Sequence, residues 1–405
     1  MDSSRRWNRH RRRRRNVIVG VIALAAVAVA LVLLVNACGG QQEGTGNTGE
    51  GANGGGNGAA GGGGEGGGEE TREEPEQPFA ALEPSAEARP ISESVSADDT
   101  ALAVGTQNAS AGIDQYADEG TGLETTGDPG PQRSVPLGET LLEGKEDPSN
   151  GPLKNNRIVA YYGTPTSDLM GILGEYEPEE FMRLLKEQTQ AYSDADPDRP
   201  AVPAIEFIAT VAQRDPGPDG LYVAQVDPEY TRQYTDLARE NDALMILDVQ
   251  LGRASVMEEV RLLEEFLLEP HVHLAIDTEY AIEEGEVPGI NLGSVDGAEI
   301  QEAVEYLDGL VREHNLPDKM LMVHQFERGI VTNKEAIQPT ENVQVVLHAD
   351  GFGGAEAKFS KYGLLVRDEP IQYGGFKIFY KQDTPVLEPE QVLALDPAPA
   401  MITYQ

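Results

Sequence analysis

Two carboxylates stand two positions apart in residues 270–280, PHVHLAIDTEY. Read as a strand, this stretch alternates its side chains between two faces. Val272, Leu274 and Ile276 share one face; His271, His273, Ala275, Asp277 and Glu279 share the other. That spacing sets the Asp277 and Glu279 positions about 6–7 Å apart on one face. Two carboxyls so placed can divide labour: one with a raised pKa gives up a proton, and an ionised second one steadies developing positive charge. Acid–base cleavage of a glycosidic bond uses that arrangement.

Other apolar runs carry similar interruptions. Glu206 sits inside AVPAIEFIATVA, Asp248 and Gln250 fall near the end of ALMILDVQL, and His324 falls near the end of KMLMVHQF. His348 and Asp350 end NVQVVLHAD, and Lys377 lies within GFKIFY. A buried ionisable group is costly unless it is paired or functional. Its recurrence in run after run predicts a shared ligand-binding or catalytic cavity; the alternative is a structural polar plug. His271 and His273 form an H-x-H pair, which holds a metal in some hydrolases. They open their run, however, away from the rim where an open coordination position is needed. His273 therefore reads as a hydrogen-bonded interior histidine. The chain has no H-E-x-x-H, H-x-x-x-H or G-x-S-x-G, and the reading assigns no metal and no cofactor.

These residues need strands to carry them. Strands are expected at 157–163, 201–212, 243–251, 271–279, 319–326, 342–350 and 375–380. Helical periodicity falls between them at 178–192, 229–241, 255–268, 297–314, 356–362 and 388–394. Strands alternating with helices over about 250 residues predict an α/β fold, a (β/α)8 TIM-barrel-like domain. The eighth strand falls either at 401–404 or within 222–226. The branched apolar faces then meet the helices, and the polar faces point inward with Asp277 and Glu279 at the C-terminal rim. An open doubly wound sheet is the runner-up. Its Gly-rich phosphate turn after the first strand is missing, since Tyr161-Tyr162-Gly163-Thr164-Pro165 stands there.

The 405 residues divide unevenly. Residues 1–16 are a basic n-region, MDSSRRWNRHRRRRRN, and 17–35 are apolar without a charge. The pair predicts a cytoplasmic N-terminus, a segment at 17–38 in the cell membrane, and an extracytoplasmic remainder. That segment is either an uncleaved signal anchor or a lipoprotein signal. In the second case Val35-Asn36-Ala37-Cys38 resembles a lipobox, and the sole cysteine carries the lipid. Residues 39–150, Gly-rich and then Glu/Pro-rich, lack apolar periodicity and predict a disordered linker. Residues 151–405 form the barrel. The formal net charge is -38, although the n-region alone carries eight arginines. So acidic a body excludes nucleic acid as a partner.

Residues 157–405 resemble a family of exported proteins and lipoproteins of actinobacteria and related Gram-positives. The motifs are YYGTP, LMGILGE, HLAIDTEY, PGINLGS, LPDKMLMVHQF, HADGFGG, GFKIFYKQDTP and the ending MITYQ. That family has no assigned reaction and implies none. Asp277-Thr278-Glu279 is similar to the catalytic pair of family 25 glycoside hydrolases and to the end of the chitinase motif. Val272 and Ala275 stand where the chitinase motif has earlier aspartates. This second resemblance implies Glu279 as general acid and Asp277 as its electrostatic partner, with a cell-wall glycan as substrate. The only tryptophan is Trp7, so stacking on a sugar would fall to Tyr161, Tyr162, Tyr280, Phe352 or Tyr380. The alternatives are a non-catalytic barrel that binds an envelope ligand, and a metal-dependent hydrolase using some of Asp248, Asp277, Glu279, His324, His348 and Asp350.

Overall fold

The computed structural model describes residues 75–86, 88 and 146–405, apart from 368, 370, 371 and 396. The expected n-region, membrane segment, lipidation site Cys38 and most of the expected linker lie outside the described residues. Among the described residues, no helix is long and apolar enough to cross a membrane.

Eight parallel strands close into a barrel. They are β1 (Arg157–Gly163), β2 (Ala201–Ala212), β3 (Leu244–Gln250), β4 (Val272–Asp277), β5 (Lys319–Gln325), β6 (Val343–Ala349), β7 (Tyr373–Ile378) and β8 (Met401–Tyr404). Each pairs with the next, and β8 returns to β1 through Ile158↔Met401 and Tyr161↔Tyr404. The eighth strand is therefore 401–404. The other candidate forms a short strand, Val223–Gln225, antiparallel to the end of β2 and outside the closed ring.

Helices α1 (Pro178–Ala195), α2 (Pro228–Glu240), α3 (Val256–Leu262), α4 (Glu264–Leu267), α5 (Gly297–His314), α6 (Ala355–Tyr362) and α7 (Pro389–Leu393) run between the strands. Helix α1 shows why the local sequence chooses this state. Pro178 occupies the first turn, where its missing N–H costs nothing, and Glu179 and Glu180 meet the positive end of the helix dipole. Phe181, Leu185, Thr189 and Tyr192 recur on one side, and all are buried. The helix expected over 255–268 is broken instead at Leu263, whose N–H turns back to Val260 O in a tight i−3 bond.

Two apolar layers result. Outside the barrel wall, Val159, Ile205, Phe207, Leu247, Leu274 and Val323 pack against the helices. Inside, Ile158, Val202, Leu244, Met320, Val346 and Tyr373 fill the N-terminal end of the barrel.

That inner floor has an unexpected cover. Phe79 and Ala81 pack against the inner cluster, Ala80 N–H bonds Asp242 O at 3.0 Å, and Leu82 N–H bonds Ala201 O at 2.8 Å. The Ser85 N–H and hydroxyl both donate to Asp194, at 2.7 and 2.8 Å. Nearby, buried Asp147 accepts from Gln344 Nε2 at 2.8 Å and from the Tyr373 hydroxyl at 2.5 Å. The expected linker 39–150 is corrected at these points: residues 75–86 and 146–150 belong to the barrel. Composition hid this, because one aromatic residue and a few backbone bonds suffice to seal a floor already made by other segments.

Candidate functional site

Four residues beyond the floor, the same inward faces turn polar. From β1 to β8 the C-terminal mouth receives Tyr162, Glu206, Asp248 with Gln250, Asp277, His324, His348 with Asp350, Lys377 and Thr403. All are buried. These polar interruptions of the apolar runs thus converge in one place. Asp350 follows the last residue of β6, and its N–H bonds Gln325 O at 2.8 Å, which fixes it to the neighbouring strand end.

His324 is the hub. Its Nε2 lies 2.8 Å from Glu206 Oε1 and its Nδ1 lies 3.1 Å from Asp350 Oδ2. Both nitrogens face carboxylate oxygens, so the doubly protonated ring fits this geometry. Burial opposes the charge, but the Glu206 charge and the hydrogen bonds to Asp350 and Glu206 outweigh it. The pKa of His324 is held well above the ordinary value. The chain of contacts continues on both sides. Lys377 Nζ donates to Asp350 Oδ2 at 3.0 Å, and the Thr403 hydroxyl donates to Glu206 Oε2 at 2.8 Å. Lys377 also lies 3.8 Å from the centre of the Tyr162 ring. Burial opposes ionisation of Asp350, yet Lys377 and His324 hold its carboxyl well below the usual range.

Two groups stand outside this satisfied network. Neither carboxylate oxygen of Asp248 and neither ring nitrogen of His348 has a hydrogen-bond partner among the described residues, and both residues are 0 % exposed. Burial, then the Asp277 and Glu206 charges, push Asp248 well above the carboxylate range against the pull of His324. Burial and the adjacent His324 charge keep His348 neutral. The two imidazole rings are 4.9 Å apart, and His348 fits only because its neighbour on β7 is glycine: a Cβ on Gly375 would lie 2.3 Å from His348 Cδ2.

The Asp277/Glu279 pair differs from the strand reading. Strand β4 stops at Asp277, and Thr278–Tyr280 form a 3-10 turn capped by the Asp277 carboxylate, which accepts the Glu279 N–H at 3.2 Å. The cause is local. Asp is a strong N-capping residue, and Thr278 ties the turn to β5 by donating its hydroxyl to His324 O at 2.7 Å. Glu279 is therefore on the rim, half-buried, and not on the strand face. Burial and the Asp277 and Asp350 charges push its carboxyl up to about 8. Asp277 is also raised, by burial first, but His324, Lys377 and the Glu279 N–H all pull it back toward ionisation. Gln250 Nε2 adds a long contact to Asp277 Oδ2, at 3.4 Å.

His271 departs from the inward face on which strand alternation put it. It lies before β4, and its Nε2 bonds Thr235 O of α2 at 2.9 Å. His273 does point inward, near the floor, where its Nδ1 accepts the Met320 N–H at 3.0 Å. Thr403 joins the mouth without having been singled out in sequence. Thr403 could have been found from the alternation of Met401–Tyr404, had that strand been assigned.

Among the described residues, Glu206, Asp248 and His324 are the set whose ligand atoms lie close enough for one metal ion, within 4.8 Å of one another. His324 fits that role poorly, because both of its nitrogens are already engaged with carboxylates. No protein-family model, no curated protein and no solved structure matches this chain.

Proposed function

We propose that this chain is a membrane-anchored, extracytoplasmic hydrolase that cleaves glycosidic bonds in a cell-envelope glycan. The observation that carries the reading is Glu279. It is a half-buried carboxyl on the barrel rim, pushed up to about 8 by burial and two neighbouring acids. Such a group keeps its proton at neutral pH and can give it to a leaving oxygen. Asp277 and Glu279 titrate as a pair. The His324 and Lys377 charges favour the ionised form of Asp277, while the Asp277 and Asp350 charges disfavour that of Glu279, so Glu279 retains the proton. Asp277 then stabilises the positive charge that develops on the sugar ring. His324, Lys377, Asp350 and Glu206 hold the electrostatics of the mouth, and Asp248, which keeps its proton and has no partner among the described residues, donates to a substrate hydroxyl.

The basic and apolar segments at 1–16 and 17–35 support the anchoring, whether by an uncleaved helix or by lipid on Cys38. A cytosolic fractionation of the full chain, without membrane association, would reject it. Cys38→Ala should abolish lipid labelling if the lipoprotein form is correct.

The test of the chemistry is release of reducing ends from purified wall glycan. Wild type should release them and Glu279→Gln should not. Saturable binding by the wild type with no release from any wall glycan would instead support a non-catalytic binding barrel. A metal-dependent hydrolase is favoured by one observation, the orphaned oxygens of Asp248 beside Glu206 and His324. Stoichiometric metal in protein purified without chelator, lost in Asp248→Asn, would establish that reading.

A further inference from the structure

A second cavity, of about 450 Å³, opens on the outer side of the barrel wall. It lies where the ends of β1, β7 and β8 meet the middle of α1 and the 3-10 turn Ile172–Gly174. Three tyrosines, Tyr161, Tyr176 and Tyr380, line it together with Glu187, Gln188 and Lys381. Its volume falls in the range of small-ligand sites.

The wall is rigidly built. Tyr380 stacks on Tyr404 with ring centres 4.9 Å apart, and its hydroxyl donates to Gln188 Oε1 at 2.8 Å and meets the Tyr161 hydroxyl at 3.1 Å. Gln188 is fixed in turn, with its Nε2 donating to the Tyr404 hydroxyl at 3.1 Å. Lys381 bonds Glu175 at 2.5 Å. Tyr176 and Tyr380 nevertheless remain 43 % and 38 % exposed. Large aromatic faces left open on a pre-ordered wall are suited to stacking a flat, partly apolar ligand.

The charge pattern narrows the class. Its charges are already paired, Lys381 with Glu175 and Glu187 with Arg183, so an ion finds no free counter-charge. A neutral polyhydroxyl ring fits such a lining, since paired carboxylates, the ammonium and the tyrosine hydroxyls can each still bond a hydroxyl. The cavity lies at the same end of the barrel as the mouth, with Tyr380, Lys381 and Gln405 just past the C-terminal ends of β7 and β8. Tyr161 points out where Tyr162 points in, and Tyr380 follows Lys377 by three positions.

We propose that this cavity is a second subsite, holding one pyranose ring of a neutral glycan chain whose reacting bond lies in the mouth. The choice of a glycan rests on the function proposed above. The subsite makes up in tyrosine what the barrel lacks in tryptophan.

The test is calorimetric binding of soluble, uncharged glycan strands built of N-acetylglucosamine to full-length Glu279→Gln protein. Adding Tyr176→Ala to that background should weaken binding roughly tenfold, the loss expected for removing one stacked ring. Glu187→Ala should weaken it less, and both variants should keep the melting temperature of the parent. In otherwise wild-type protein, Tyr176→Ala should lower kcat/KM on strands and leave kcat/KM on an aryl monoglycoside unchanged. Unaltered strand affinity in Tyr176→Ala would overturn the subsite while leaving the mouth reading intact. Weakened affinity in a wild type that releases no reducing ends would keep the subsite and reject the catalytic reading. Absence of saturable strand binding would overturn both.

Discussion

Ile158, Val202, Leu244, Met320, Val346 and Tyr373 face the barrel axis near its floor; Tyr162, Glu206, Asp248, His324, Asp350 and Lys377 face it at the mouth. The second set lies four residues, roughly 13 Å, further along the same strands. Parity is identical, so the same pleat that buries a methionine at one level buries an imidazolium at the next. The floor is stabilising: its side chains are apolar, fully covered, and capped by Phe79. The mouth is a cost, partly recovered by the run of contacts Lys377–Asp350–His324–Glu206–Thr403 and left unrecovered at Asp248 and His348. A fold that only needed stability would continue the floor upward. Polar groups retained at that expense are what the proposed chemistry would need at this end of the barrel.

The largest expected effect separates the two ends most sharply. Glu279→Gln should lower turnover by on the order of 10²–10⁴ while leaving the fold intact. It should also be more stable than wild type in alkali. A carboxyl whose folded pKa is raised to about 8 contributes nothing against folding below its unfolded pKa, and opposes folding increasingly as pH rises toward 8. Melting curves of the two proteins should therefore coincide near pH 4 and diverge by pH 9, with the variant higher. In wild type, kcat/KM should fall as pH passes about 8 and the acid is lost.

Next comes Lys377→Met, which leaves buried Asp350 with His324 as its remaining hydrogen-bonded cation. Breaking one partner out of such a network costs about 3–5 kcal/mol, measurable by urea unfolding. An unchanged midpoint would show that the mouth is wetter than its burial implies. His324 supplies a pH signature for the same network. Its folded pKa is raised, so its contribution is complete below the unfolded value and declines as pH climbs toward the folded one. The wild type should lose stability from neutral pH upward, and Glu206→Gln should flatten that slope.

Smaller effects should come from packing. Gly375→Ala forces a methyl against the His348 ring and should cost about 1–3 kcal/mol, with activity falling in parallel if the ring shifts. Phe79→Ala removes a partly buried side chain from the floor. It should cost about 1–2 kcal/mol and leave turnover unchanged. Lost turnover in that variant would mean that floor and mouth are coupled, and would break the comparison.

Much of this division was legible in sequence, because period-two alternation is preserved wherever a strand has two different faces. Glu206, Asp248, His324 and Lys377 were each visible as one polar residue in an apolar run. Glu279 was misplaced because alternation says nothing about where a strand ends, and Asp277 ends it by capping the next turn. Phe79 was invisible for another reason. Its partners lie more than 70 residues away in sequence, and no local period announces such a contact. The tyrosine cavity is hidden in the same way, since β1, the segment after it, α1 and the chain just past β7 and β8 each contribute only one to three residues to it.

Closure of the ring has a kinetic consequence. Strand β1 finds its second neighbour in β8, so the joint Ile158↔Met401 spans nearly the whole domain. Contacts of such long sequence separation cost the most loop entropy and slow folding. The Thr403 hydroxyl that holds Glu206 arrives with that joint. A barrel lacking its last strand would carry Glu206 without this partner, so the charged mouth is complete only when the ring is closed.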